Sequence, residues 1–264
     1  MIEILTNAKG DLREKPIPSA VNPSLDALDY FHIEIDLASK ANKEKLVDLA
    51  QYGVAAKSAF MVARAPYYRA FSCALPRVYM REGVAIKLRE VNEILEPYGV
   101  ELLAWDGYRP IALQQELWNH FVERGKAALP GAREEELVQF AGQYCSDPRR
   151  FDPSDYQTWP VHNTGGAIDL TLRLRSDGQE LFMGGIFDDA DEISWTRHYE
   201  DDRHTSQSAL EARRNRRLLY HAMCAAGFEN YHYEWWHYDM GTQMWAMNRG
   251  ANSRAYYGRA ELPA

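Results

Sequence analysis

Residues 162–174 read His162-Asn163-Thr164-Gly165-Gly166-Ala167-Ile168-Asp169-Leu170-Thr171-Leu172-Arg173-Leu174. From Ala167 onward the pattern has a period of two. Ile168, Leu170, Leu172 and Leu174 fall on one face and Ala167, Asp169 and Thr171 on the other, which predicts a strand whose second face carries a carboxylate. Asp177-Gly178 then suits a tight hairpin turn. Upstream, apolar residues recur from Val84 through Leu88, Val91, Leu95 and Tyr98 at helical spacing, with Gly99 as a stop. Val100 to Trp105 reads as a buried strand, Asp106-Gly107 as a turn, and Pro110 as the first position of a helix carrying Leu113, Leu117 and Phe121. Arg109 therefore falls at a strand-to-helix corner.

Farther out, Phe31, Ile33, Ile35 and Leu37 alternate with His32, Glu34 and Asp36, which predicts a half-buried strand. Helices are expected from Arg133 to about Tyr144 and from Ser208 to Ala226, the latter ended by Gly227, and turns over 147–153. Phe228 to Asp239 reads as an aromatic-rich strand. The acidic stretch from Asp188 to Arg203 has no periodicity and predicts a long loop, 188–206, of a kind that often serves as a lid. Strands and helices intermingle without a βαβ repeat, a Gly-rich phosphate loop or an internal repeat. The expected class is α+β, a single domain over 1–264 with a central, largely antiparallel sheet flanked by helices. Residues 1–30, which include Pro16, Pro18 and Pro23, are expected to wrap over its surface.

The 264 residues carry 30 basic and 38 acidic side chains, a net charge of −8, and 46% are hydrophobic. Such a chain can bury a core without a disulfide or a structural metal. The acidic balance argues against nucleic acid or an anionic membrane as partner, since both call for clustered Lys and Arg. Arg213, Arg214, Arg216 and Arg217 are the exception; interleaved with Leu210, Leu218 and Leu219 at helical spacing, they read as a solvated helix face. Cys73, Cys145 and Cys224 form no CxxC pair and fit buried thiols in a reducing compartment. The start of the chain lacks a secretory pattern and no 18-residue apolar run occurs, so the expected location is cytoplasmic. Oligomeric state is left open.

Two clusters carry chemistry. His162-x-x-Gly165-Gly166-x-x-Asp169 and Glu234-Trp235-Trp236-His237 together offer two imidazoles, a carboxylate ligand and a spare carboxylate. A catalytic zinc site uses that set: three protein ligands, an open position for water, and a general base. Taken singly, His162, Asp169 or His237 reads more readily as a structural residue, and His32, His120, His198, His204, His221 and His232 are read as structural throughout. On a regular strand Glu234 and His237, three apart, point to opposite faces, so a bulge or strand end is expected near Trp235-Trp236. Trp235, Trp236, Tyr231, Tyr233 and Tyr238 are read as packing residues.

The pattern His162-x-x-Gly165-x-Ala167-x-Asp169 followed by Glu234-x-x-His237 resembles the zinc D-alanyl-D-alanine dipeptidases of the VanX type and, more widely, the related zinc D,D-peptidases. The likeness covers about residues 65–240. It continues through Asp106-Gly107-Tyr108-Arg109-Pro110, Met183-Gly184, Phe187-Asp188, Asn215-Arg216-Arg217 and Gly227-Phe228-Glu229 in family order. It implies a hedgehog/DD-peptidase-like fold and one zinc ion held by His162, Asp169 and His237. Glu234 is implied as catalytic base, Arg109 as the residue stabilising the transition state, and Asp188 as the carboxylate receiving the substrate's free amino group. The implied reaction is hydrolysis of D-alanyl-D-alanine or a close small dipeptide, under a closed acidic rim made by residues 188–203. A D,D-carboxypeptidase or D,L-peptidase acting on peptidoglycan stems is the alternative within enzymes. A non-catalytic zinc-binding module of the hedgehog type is the alternative outside them. The chain departs from the family at Pro160, where a serine is usual, and over Tyr52 to Phe60.

Overall fold

The computed structural model describes residues 10–19, 29–250 and 253–262. Its strands are β1 (Leu46–Asp48), β2 (Ala55–Ala56), β3 (Tyr79–Arg81), β4 (Val100–Asp106), β5 (Ala167–Leu174), β6 (Glu229–Asn230) and β7 (His237–Asp239). The α-helices are α1 (Glu82–Leu95), α2 (Ile111–Ala128), α3 (Glu134–Gly142), α4 (Gln207–Ala225) and α5 (Gln243–Arg249). Five strands form the main sheet in the order β2-β4-β5-β7-β6, and β1 pairs with β3 apart from it. Only β2 and β4 run parallel within that sheet; β5 is antiparallel to both β4 and β7. The architecture is α+β.

The alternation along β5 builds the core. Ile168, Leu170 and Leu172 join Leu88 and Leu95 of α1, Leu102 of β4, and Leu218 and Leu219 of α4 in one buried cluster. Each such side chain contributes roughly 2 kcal/mol on leaving water. The opposite face holds Asp169 and Thr171, which are also buried, Asp169 beside His162 and Arg109. Register then places chemistry in a row. Asp106 of β4 lies opposite Asp169, and Asp169 lies opposite His237 of β7. The β4–β5 register shifts between Ala104 and Asp106, and this bulge brings the Asp106 carboxylate into the row.

Three sequence expectations need correction. Phe31 to Leu37 forms no strand: 29–32 is a 3-10 turn and Ile35 makes only a single bridge with Ala255. The Gln243 side chain donates to the carbonyls of Phe31 and Ile33, taking the acceptors a ladder would need. Phe228 to Asp239 is two short strands separated by turns, with Glu234 in the turn and β7 beginning at His237. The strand is therefore broken from Tyr231 through Trp236, which includes the Trp235-Trp236 break that the Glu234/His237 spacing requires. Cys73, Cys145 and Cys224 are free but half-buried, not buried.

The surface-wrapping reading of residues 1–30 lies in large part outside the described residues. Within 10–19 the chain runs against α4, along Arg214, Arg217 and His221. Ile17 is buried, its N–H donates to Glu200, and the His221 ring bonds the Lys15 carbonyl. No helix among the described residues is long and apolar enough to cross a membrane.

Candidate metal centre and active site

His162 lies in a 3-10 turn, Val161–Thr164, that ends at Gly165 in the left-handed region with φ 72°. A side chain at Gly165 would stand 2.5 Å from Leu46, and one at Gly166 would stand 2.6 Å from the Met240 carbonyl. Glycine is thus needed at 165 for backbone conformation and at both positions for close approach. Arg81, buried at the end of β3, secures the turn by donating to the Thr164 carbonyl at 2.8 Å, while its backbone N–H bonds Gly165.

This folding brings His162, Asp169 and His237 together, all buried, with one ligand atom from each lying within 4.8 Å of the others. Hydrogen bonds to the outer nitrogens decide which atoms face inward. His162 Nδ1 donates to the Gly107 carbonyl at 2.9 Å, which leaves Nε2 bare and 3.4 Å from Asp169 Oδ2. His237 Nε2 donates to Asp239 Oδ2 at 2.9 Å, and its Nδ1 faces Asp169 Oδ1 at 2.9 Å. Asp239 is fully buried and also accepts from Thr242 Oγ1 at 2.7 Å. An imidazole oriented through its far nitrogen by a carbonyl or carboxylate is the usual support of a metal-binding histidine.

Electrostatics favour a cation at the convergence point. Burial pushes the His162 pKa down to about 3, so its imidazole is neutral, the form that binds metal. Burial also opposes charge on His237, but Asp239 and Asp169 outweigh it and hold this ring well above its ordinary value. Asp106, Asp169, Asp188 and Glu234 crowd around the single guanidinium of Arg109. Burial and the Asp169 charge raise Asp106 to about 6 and Glu234 to about 7, and raise Asp188 well above the carboxylate range. A divalent cation would relieve that excess, and the N, N, O donor set is one zinc accepts.

The remaining groups line the same cleft, of about 100 Å³, with Tyr30, Tyr144, Cys145, Ser146, Pro160, Tyr231 and Met244. Glu234 Oε2 is 3.8 Å from His237 Nδ1. Arg109 is buried; its Nε donates to Asp106 at 2.8 Å, its Nη1 to Gln114 at 3.0 Å, and its Nη2 stands 3.6 Å from Asp169. Asp188, in the left-handed region at φ 56°, accepts a hydrogen bond from the Tyr67 hydroxyl.

A family model described as D-ala-D-ala dipeptidase, of the M15 peptidases, matches residues 44–254. The chain belongs to this family. Every residue of the cleft named above except Tyr30 falls within the matched span, and zinc dependence is general to the dipeptidases. A D-alanyl-D-alanine dipeptidase of Synechocystis sp. is 34% identical over 69% of this chain and 79% of its own length. One of Enterococcus faecium is 35% identical over 59% of this chain and 69% of its own. Among solved structures, the LdcB LD-carboxypeptidase overlaps 75% of this chain and 70% of its own at 19% identity, with a TM-score of 0.38, too low to carry weight.

Set against this dipeptidase framework, several functional neighbours escape sequence reasoning. Asp106 and Gln114 fix Arg109, Asp239 fixes His237, and Tyr67 touches Asp188. Asp239 had a detectable signal: it lies two residues from His237, on the same side of a strand. Tyr67 had none, since 121 residues separate it from Asp188. Tyr231 lines the cleft although the aromatics of 231–238 read as packing; Trp235, Trp236 and Tyr238 are core.

Two expectations about charge fail. The acidic rim over 188–203 does not form, because Glu200 pairs with Arg217 at 2.6 Å and Asp201 with Arg203 at 2.8 Å. Asp188 alone of that run lines the cleft, and Asp189 joins it in a neighbouring groove. The basic stretch of α4 is no simple solvated face either, since Arg216 is only 2% exposed.

Proposed function

We propose that the chain hydrolyses D-alanyl-D-alanine, with His162, Asp169 and His237 holding one zinc ion. The observation that carries this reading is the convergence of those three donors in a cleft that Glu234, Arg109 and Asp188 also line. A zinc ion held there supplies Lewis acidity, polarising the scissile carbonyl and lowering the pKa of a water to about 7.

The protein's own groups do the rest. Asp188, steadied by Tyr67, accepts hydrogen bonds from the substrate ammonium and fixes which end of the dipeptide enters. Glu234 takes a proton as the water oxygen adds to the carbonyl carbon, and delivers it to the amide nitrogen as the C–N bond breaks. Arg109, held by Asp106 and Gln114 so that it needs little reorganisation, donates to the developing oxyanion. Two free amino acids leave.

A small cleft and a half-buried carboxylate beside the amine end favour a free dipeptide over a peptidoglycan stem. Glu234 and Arg109 would be superfluous in a module that only stores zinc. Three unpaired thiols suit a reducing compartment, so a cytoplasmic setting is part of the proposal, checked by cell fractionation. The deciding assay compares D-Ala-D-Ala with an N-acylated longer analogue on the zinc-loaded protein. Faster cleavage of the longer substrate overturns the dipeptidase reading. Glu234→Ala should retain zinc and lose turnover by about three orders of magnitude or more; unchanged turnover removes Glu234 from the mechanism.

A further inference from the structure

Arg216 is a buried guanidinium that no carboxylate among the described residues pairs with. Its three nitrogens each donate to a backbone carbonyl: Nε to Met183, Nη1 to Trp195 and Nη2 to Ile193, all at 2.7 Å. The planar group lies 4.8 Å from the Tyr199 ring centroid and 5.6 Å from that of Trp235. Burying an unpaired charge is costly unless strong hydrogen bonds offset it, and three short charge-assisted bonds do so here.

The carbonyls lie at the two ends of one loop. Met183 precedes Asp188 and Ile193 and Trp195 follow it, so the guanidinium closes residues 183–195 into a ring with Asp188 near its middle. Asp188 occupies the left-handed region, which a non-glycine residue holds only when its surroundings enforce it. The same ring is tied to the turn bearing Glu234, because the Trp235 N–H donates to the Ser194 carbonyl at 2.9 Å and the Thr196 N–H to that of His232 at 2.8 Å.

We propose that Arg216 is a positioning residue for substrate recognition: by clasping both ends of the 183–195 loop it holds the Asp188 carboxylate where the substrate ammonium arrives. This rests on the reading of Asp188 as the amine receptor. Lysine keeps the charge but cannot span three carbonyls with one ammonium group. Freeing the loop reduces the share of molecules with Asp188 in place, and the apparent affinity falls by that fraction.

The test uses the full-length zinc-loaded chain with Asp188→Asn, Arg216→Lys and their combination, each checked for zinc content. For Arg216→Lys, KM for D-Ala-D-Ala should rise about tenfold for a loop ordered one tenth of the time, with kcat within about threefold. Amide hydrogen exchange over 184–196 should quicken. The preference for the free dipeptide over its N-acetylated form should shrink as in Asp188→Asn, with no further loss in the double variant. A preference unchanged in Asp188→Asn removes the amine-receptor reading, and this inference with it. A preference lost in Asp188→Asn but kept in Arg216→Lys overturns the inference alone, as do additive losses or a fall in kcat at constant KM. Should Arg216→Lys fail to fold, Arg216→Gln, which keeps two donors, takes its place; failure of both makes Arg216 part of the fold and refutes the positioning role.

Discussion

Replacing Asp239 by alanine or by asparagine separates the charge of this buried carboxylate from its geometry. Asp239 touches no substrate. It accepts the Nε2 proton of His237 at 2.9 Å and the Thr242 hydroxyl at 2.7 Å, and so keeps Nδ1 of His237 turned toward Asp169. Alanine removes both acceptors, frees the ring to take the other tautomer and leaves a buried N–H without a partner. Loss of such an outer partner lowers metal affinity about 10–100-fold, or roughly 1.4–2.7 kcal/mol. Asparagine keeps an oxygen at the same place, so the ring stays oriented but is less basic, and the loss should fall near the lower end of that range. Competition against a chelator of known zinc affinity measures both variants directly, without recourse to turnover. Thermal unfolding of the metal-free proteins separates zinc loss from fold loss, since Thr242 also caps α5 by accepting from Trp245. Zinc affinity in Asp239→Ala within about twofold of the parent, in a folded chain, would refute the claim that Asp239 orients a metal ligand.

Other outcomes follow from the same geometry. Tyr67→Phe removes only the hydroxyl that donates to Asp188; one hydrogen bond to a charged group, about 1.5–3 kcal/mol, should appear as a KM rise of about tenfold or more, and a loss confined to kcat contradicts it. Gly165→Ala forces a side chain into φ 72° and to 2.5 Å from Leu46. A cost of about 2 kcal/mol or more should lower the unfolding midpoint by several degrees, and an unchanged midpoint speaks against a required left-handed turn. Glu200 is held below its ordinary carboxylate pKa of 4.5: burial would raise it, but the Arg217 guanidinium and the Ile17 N–H outweigh that. Its contribution is present in full above pH 4.5 and is lost as pH falls through the lowered folded-state value. The stability gap between parent and Glu200→Gln, measured by urea unfolding, should therefore be flat above that pH and close below it; a gap independent of pH removes the ion pair as its source.

The sequence was most legible where one periodicity ran uninterrupted. Leu88 and Leu95 mark α1, which gives way at Glu96 to a 3-10 turn that Gly99 ends, and Ile168 to Leu174 mark β5, because each pattern extends over several turns or a full strand. Phe31 to Leu37 shows the weakness of a short alternation: seven residues suggest a strand, yet Gln243, more than two hundred positions away, takes its acceptors. The candidate ligands were readable as residue types at a spacing, and the conflict between Glu234 and His237 correctly foretold a broken strand. Arg216 was misread because helical spacing assigns residues to a face but does not say what covers that face. The loop that buries it has no periodicity of its own.

Pairing across the sheet explains why the site forms where it does. Asp106, Asp169 and His237 come from three strands and reach one row only because β4 carries its bulge at Trp105 and β7 begins at His237. Without the bulge Trp105 would stand opposite Asp169, and Asp106 would turn to the other face, taking with it the anchor of Arg109. The bulge thus sets two distances at once: that between the carboxylate and guanidinium of the Asp106–Arg109 pair, and that between Arg109 and the Asp169 carboxylate, 3.6 Å. Deleting one residue from the end of β4 should therefore disable oxyanion stabilisation while leaving His162, Asp169 and His237 able to bind zinc. Such a variant, inactive yet still binding one metal ion in the chelator competition, would place the bulge among the determinants of catalysis; loss of metal binding in a folded chain would show that register instead governs the ligand set.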